Sequence, residues 1–134
     1  MPFSNLFQIE DRLIGINQPP FIIAEMSGNH NQNIQKAIKL VDAAHESGAD
    51  AIKLQTYTPD TITLNENGED FQIRDEKSLW KGQNLHELYS KAYTPWDWHP
   101  KIIDHAKNLG LTCFSSPFDE TAIDFLETLN VPAY

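Results

Sequence analysis

The sequence predicts an α/β fold, the first three βα units of a (β/α)8 TIM barrel, on three observations. Short apolar runs alternate with amphipathic segments in the order β, α, β, α, β, α, which builds a parallel sheet. The G-x-G-x-x-G and G-K-S/T fingerprints of doubly wound nucleotide-binding sheets are absent. Polar side chains gather at the C-terminal ends of the apolar runs, the end at which barrel active sites form. At 134 residues the chain has the length of one domain.

Residues 7–17, "FQIEDRLIGIN", alternate apolar residues about "ED" and read as a small hairpin. Residues 1–18 are thus an N-terminal hairpin-like segment, and residues 19–134 hold βα units 1 to 3. Pro19 and Pro20 suit the edge of a strand, and "FIIAE" (21–25) follows as the first strand. In "NIQKAIKLVDAAHESGAD", Ile34, Ala37, Ile38, Val41 and Ala44 recur at spacings of three and four between a capping Asn33 and a terminating Gly48. That is an amphipathic helix. "AIKLQT" (51–56) is the second strand. From Tyr57 to about Leu79 no period persists, and loops of that length in compact domains are usually functional or mobile. "NLHELYSKAY" gives a short helix with Leu85, Leu88, Tyr89 and Ala92 on one face.

"TPWDWHPKIIDHAKNLG" gives another helix, capped by Thr94, with Pro95 at its first position and Gly110 as its stop. Trp98, Ile102, Ala106 and Leu109 form its stripe, and Pro100, one turn in, is placed to distort the first turn. "LTCFSS" (111–116) is the third strand, "DETAIDFLETLN" its helix behind Asp119, and "VPAY" the start of a fourth strand.

Composition narrows the function classes. With 40% hydrophobic and 22% charged residues the chain is an ordinary globular one, and no run approaches the roughly 20 apolar residues of a membrane span. A net charge of −9 argues against nucleic acid or an anionic membrane as partner. It leaves room for a small anion held by one lysine, hydroxyls and backbone N–H groups. A single cysteine, Cys113, excludes an internal disulfide, and the N-terminus shows no basic stretch followed by an apolar one, so a cytoplasmic location is expected.

The chemistry-bearing residues sit on the strands. Lys53 and Gln55 are two apart and point to one side, toward the barrel axis if Ile52, Leu54 and Thr56 face the helices. A buried ammonium must be neutralised, either by Glu25 on the neighbouring strand as a structural ion pair or by an anionic ligand. Ser115 and Ser116 close the third strand before "PFD"; two hydroxyls and turn N–H groups suit phosphate oxygens, and they equally suit capping of the turn before Asp119. Asn29 and His30 follow Gly28 in the first βα loop, as solvated or hydrogen-bonded groups or as ligands. His45, His86, His99 and His105 lie on predicted helices without a paired metal-ligand spacing, so no metal site is assigned. Trp80, Trp96 and Trp98 read as packing anchors.

Together "FIIAEMSGNHN", "GADAIKLQTYTPDTITL", "LWKGQNLHELY", "AYTPWDWH" and "CFSSPFDETAIDFLETLNVPAY" resemble the N-terminal part of the sialic acid synthase family from about residue 7 to Tyr134. "LWKGQ" and "TPWDWH" favour its pseudaminic acid branch over its N-acetylneuraminate branch. The resemblance implies a (β/α)8 barrel followed by a small antifreeze-like domain. It also implies condensation of phosphoenolpyruvate with an N-acetylated amino sugar to a nonulosonic acid, with release of phosphate. By the same resemblance Glu25 and Lys53 are the catalytic candidates. Lys53 and Ser116 would hold the phosphate and carboxylate end of phosphoenolpyruvate, with Ser115 nearby, and Glu25 and Gln55 would contact the sugar. Asn29 and His30 match the family's first loop as substrate-binding positions without an assigned step.

The family's divalent metal, Mn2+ or Mg2+, would find its ligands outside this chain. A barrel takes about 250 residues, so the chain is expected to be an N-terminal portion that is inactive alone. Its open sheet edge favours a homo-oligomer. Two other readings stand beside this one: a Schiff-base barrel aldolase with Lys53 as nucleophile, and a non-catalytic fragment that only oligomerises.

Overall fold

The computed structural model describes residues 6–134; residues 1–5 of the expected N-terminal segment lie outside them. A hairpin comes first, β1 (Leu6–Ile9) paired antiparallel with β2 (Arg12–Gly15), where the alternation predicts one. The Arg12 guanidinium donates to Asp50 Oδ1 at 2.8 Å and to Pro20 O at 3.3 Å, while Asp50 Oδ2 accepts the Ile22 N–H at 2.7 Å. One carboxylate thus ties the hairpin to the start of the sheet.

The rest of the chain runs β3 (Ile23–Glu25), α1 (Ile34–Glu46), β4 (Ala51–Thr56), α2 (Pro59–Ile62), α3 (Leu85–Ala92), α4 (His99–Asn108), β5 (Thr112–Pro117) and α5 (Glu120–Thr128). The sheet order is β3-β4-β5 and both pairings are parallel. Among the described residues no helix is long and apolar enough to cross a membrane.

Local chemistry sets these boundaries. The Asn33 side chain accepts the Lys36 N–H to open α1, and Gly48 beyond its end takes φ +81°, a conformation that suits glycine. Asp119 accepts the Thr121 N–H to open α5. In the long segment after β4, Thr58 and Thr61 cap α2 reciprocally, and Gln72 bridges to Asn84.

Two expectations change. The helix expected from Thr94 starts at His99, behind a 3-10 turn over Trp96–Trp98. Pro100 has no N–H to return to the Trp96 carbonyl, so an α-helical ladder cannot run through it; in the first turn of α4 that N–H is not needed. Residues 131–134 form no strand, and Pro132 among them lacks a ladder donor.

The core lies between the sheet and its helices. Ala37, Val41 and Ala44 of α1 and Ile102 and Ala106 of α4 cluster with Ile52 and Leu54 of β4 and Cys113 of β5, all buried. Replacing Leu54, 1% exposed, by alanine should lower the unfolding free energy by about 2–5 kcal/mol. Leu79→Ala, at a side chain 96% exposed, should change it by less than about 0.5 kcal/mol in the same urea titration.

Candidate active site

Register decides which side chains meet. Glu25 pairs with Lys53 and Lys53 with Phe114, while Gln55 pairs with Ser116. Registered neighbours in a parallel sheet share a face, so Glu25, Lys53, Gln55, Phe114 and Ser116 lie on one side. Ile52, Leu54, Thr56, Cys113 and Ser115 alternate onto the other, beneath the helices.

Lys53 Nζ is 2.9 Å from Glu25 Oε1, with 28% of the lysine side chain and 47% of the glutamate side chain exposed. The ammonium is therefore paired and also within reach of solvent, not sealed in an apolar interior. Gln55 and Ser116 stand beside it, both half-buried. The group can offer a cation, an amide, a hydroxyl and a carboxylate to one polar ligand.

Ser115 does not join them. Its hydroxyl lies in the core, 2.6 Å from Thr56 Oγ1, which is itself 2.9 Å from His99 Nε2. Adjacent strand residues point to opposite faces, so only one of the two serines can face Lys53. Asn29 is exposed and donates to its own loop at Met26 O, 3.0 Å away. His30 is fully buried: Nε2 is 3.0 Å from Thr94 Oγ1, Nδ1 accepts the Gln32 N–H, and the ring meets Trp98 edge-on. Gly28 in the same loop presses on Ala92, whose carbonyl oxygen would lie 2.8 Å from a Cβ added there. The first βα loop is thus docked on residues 92–94, with His30 as its anchor.

Phe114 is the member that the sequence reading omitted. The signal was present: Phe114 and Ser116 are two apart, as Lys53 and Gln55 are. At the end of β4, Tyr57 is buried between Tyr89 and Phe118, its carbonyl accepts Trp96 Nε1–H at 3.1 Å, and burial followed by Tyr89 pushes its phenol up to about 12. Cavities of about 500 and 400 Å³ open at the opposite end of the sheet, around Gly110 and Leu111 and around Asp50 and Thr112. They belong to the ends where the strands begin, not to Lys53.

Over residues 40–134 the sequence matches the NeuB family. The chain belongs to the NeuB family. It is 50% identical over 114 residues to pseudaminic acid synthase of Campylobacter jejuni, across 85% of this chain and 33% of that protein. It is 50% identical over 117 residues to pseudaminic acid synthase of Helicobacter pylori, across 87% and 34%. N,N'-diacetyllegionaminic acid synthase of Legionella pneumophila is 38% identical over 117 residues, across 87% and 32%. The solved N-acetylneuraminic acid (sialic acid) synthetase of Leptospira borgpetersenii, in complex with citrate, superposes with a TM-score of 0.77 at 25% identity, covering 96% of this chain and 39% of that one. Spore coat polysaccharide biosynthesis protein SpsE of Bacillus subtilis superposes with a TM-score of 0.68 at 28% identity, covering 95% and 32%. This NeuB family chain spans about a third of the length of the curated relatives it matches.

His99 gives the region a pH dependence. Burial pushes its imidazole down from 6.5 to about 4, against the opposing pull of the Pro95 and Trp96 carbonyls. Between those values the unfolded chain takes up a proton that the folded chain refuses, so stability present above pH 6.5 is lost as pH falls toward 4. The loss reaches about 3 kcal/mol, and burial shifts His30 in the same direction. Unfolding free energies should therefore fall more steeply over this range in the unsubstituted chain than in His99→Asn. Parallel pH profiles would contradict the assignment.

Proposed function

We propose that this chain is the N-terminal portion, βα units 1 to 3, of a (β/α)8 barrel synthase that condenses phosphoenolpyruvate with an N-acetylated amino sugar. The observation that carries the reading is the grouping of Lys53, Glu25, Gln55 and Ser116 on one face at the C-terminal end of a parallel sheet. The names of the 50%-identical relatives support pseudaminic acid as the product of the whole protein.

In this reading Lys53 and Ser116 hold the phosphate and carboxylate end of phosphoenolpyruvate, while Glu25 and Gln55 meet the sugar. The enol C=C electrons of phosphoenolpyruvate form the bond from carbon 3 to the sugar aldehyde carbon, whose C=O opens to a hydroxyl. Water adds at the oxocarbenium carbon 2, its released proton balancing the one taken up by that hydroxyl, and the tetrahedral product expels phosphate to leave the ketone. Lys53 stabilises negative charge on the phosphoenolpyruvate throughout, and positioning of the two substrates supplies much of the rate. Lys53 Nζ is engaged by the Glu25 carboxylate, which favours this electrostatic role over a Schiff-base aldolase.

Among the described residues no three His, Cys, Asp or Glu side chains converge as metal ligands. The buried imidazoles of His30 and His99 have both ring nitrogens engaged within the protein. These residues do not fit a metal site. We assign the family's Mn2+ or Mg2+ to ligands outside this chain and derive no step through it. The whole enzyme would work in the cytoplasm as a homo-oligomer.

The test is a fusion in which residues 1–134 replace the matching third of the Campylobacter jejuni synthase. It should release phosphate from phosphoenolpyruvate only when 2,4-diacetamido-2,4,6-trideoxy-altrose is present. Lys53→Ala should lower kcat/KM for phosphoenolpyruvate by about 10²–10³-fold. A folded fusion whose turnover is indifferent to that change would rule out the role given to Lys53.

A further inference from the structure

Three buried polar residues behind the sheet have no part in the role given to Lys53. They are Thr56, Ser115 and His99, exposed by 0%, 1% and 0%. For a neutral His99 ring, the form its burial favours near pH 7, their hydrogen bonds run in one order. His99 Nδ1 faces the Pro95 carbonyl oxygen at 3.3 Å, which can only accept, so Nδ1 carries the proton and Nε2 is bare. The Thr56 hydroxyl, 2.9 Å from Nε2, must donate to it. Thr56 Oγ1 is then left to accept from Ser115 Oγ, 2.6 Å away. Ser115 therefore donates to Thr56, Thr56 to His99, and His99 to Pro95.

This chain of bonds joins β5 to β4 and β4 to the start of α4 at the last rung of the ladder. Thr56 is in register with Pro117, and its carbonyl accepts the Phe118 N–H at 3.2 Å, the last backbone bond between the two strands. Gln55 precedes Thr56, and Ser116 follows Ser115. Backbone held from the helix side therefore carries the two side chains that stand beside Lys53 on the other.

We propose that Ser115, Thr56 and His99 form a positioning clamp that locks the ends of β4 and β5 together and so sets Gln55 and Ser116 at the spacing the substrate site requires. Its functional consequence rests on the synthase reading, whereas its hydrogen-bond order rests on geometry alone. All three are positioning residues, acting through Gln55 and Ser116.

Nitrogen-15 NMR of the 134-residue chain at about pH 7 should find His99 protonated on Nδ1 and bare on Nε2. Thr56→Val, similar in shape but without the hydroxyl, should displace the Ser116 amide and Gln55 side-chain resonances. It should also speed exchange of the Phe118 amide by about tenfold. Thr56→Ser should restore both. In the fusion, Thr56→Val should lower kcat per folded molecule by about tenfold while KM for phosphoenolpyruvate changes less, with Thr56→Ser recovering the rate. A merely structural role would reduce the folded fraction and leave kcat per folded molecule intact.

A proton on His99 Nε2 in the unsubstituted chain overturns the clamp, as does a folded Thr56→Val chain with Gln55 and Ser116 unmoved. Should Thr56→Val not fold, Ser115→Ala takes its place, and the His99 measurement needs no substitution. An inactive unsubstituted fusion would count against the synthase reading, while the NMR arms still decide the clamp.

Discussion

The parallel register of β4 between β3 and β5 is the constraint on which the rest depends. Each residue of β4 is assigned by it to one of two unlike surroundings: Ile52, Leu54 and Thr56 to the helices, Lys53 and Gln55 to the open face. A slip of one residue would exchange them, driving an ammonium into the helix-covered core and leucine out of it. The cost of burying Lys53 unpaired is several kcal/mol and that of exposing Leu54 about 2 kcal/mol, so the two penalties reinforce one register. Stability and site geometry are thus consequences of the same alternation.

Much of this was legible in the sequence because the signals are periodic and local. The spacing of Ile34, Ala37, Val41 and Ala44, with Asn33 before and Gly48 after, determines α1 without help from the rest of the chain. The pairing of Lys53 with Glu25 was legible for a related reason, since adjacent parallel strands bring their ends to one side. Proximity in sequence groups Ser115 with Ser116, against the alternation that separates them. His30 and Thr94, 64 residues apart, meet through a docked loop that no local period encodes. The start of α4 needed the combined effect of Pro95 and Pro100, and only the second marks where α-helical bonding can begin.

The two faces of the sheet differ in how their polar groups are held. Behind it, Thr56, Ser115 and His99 satisfy one another where water does not reach, and removal of any one leaves a buried partner unpaired at about 1–3 kcal/mol. In front, Lys53 and Glu25 share an ion pair partly open to solvent. Pairs of that kind contribute about 0–1 kcal/mol, because water competes for both charges.

That weakness bears on the choice between a structural ion pair and a ligand site. A pair buried deeply enough to matter for stability would resist separation, and an incoming anion would have to overcome a cost of several kcal/mol to take Glu25's place. At the partial exposure of Lys53, exchanging a carboxylate for a phosphate costs little, and the phosphate brings more charge than the carboxylate it displaces. The fold does not need this ion pair for its register, which burial of Ile52 and Leu54 already imposes. A lysine that stability can spare, held in place by a strand that stability cannot, is suited to the anion-binding role proposed for it, with Glu25 as its partner in this structure.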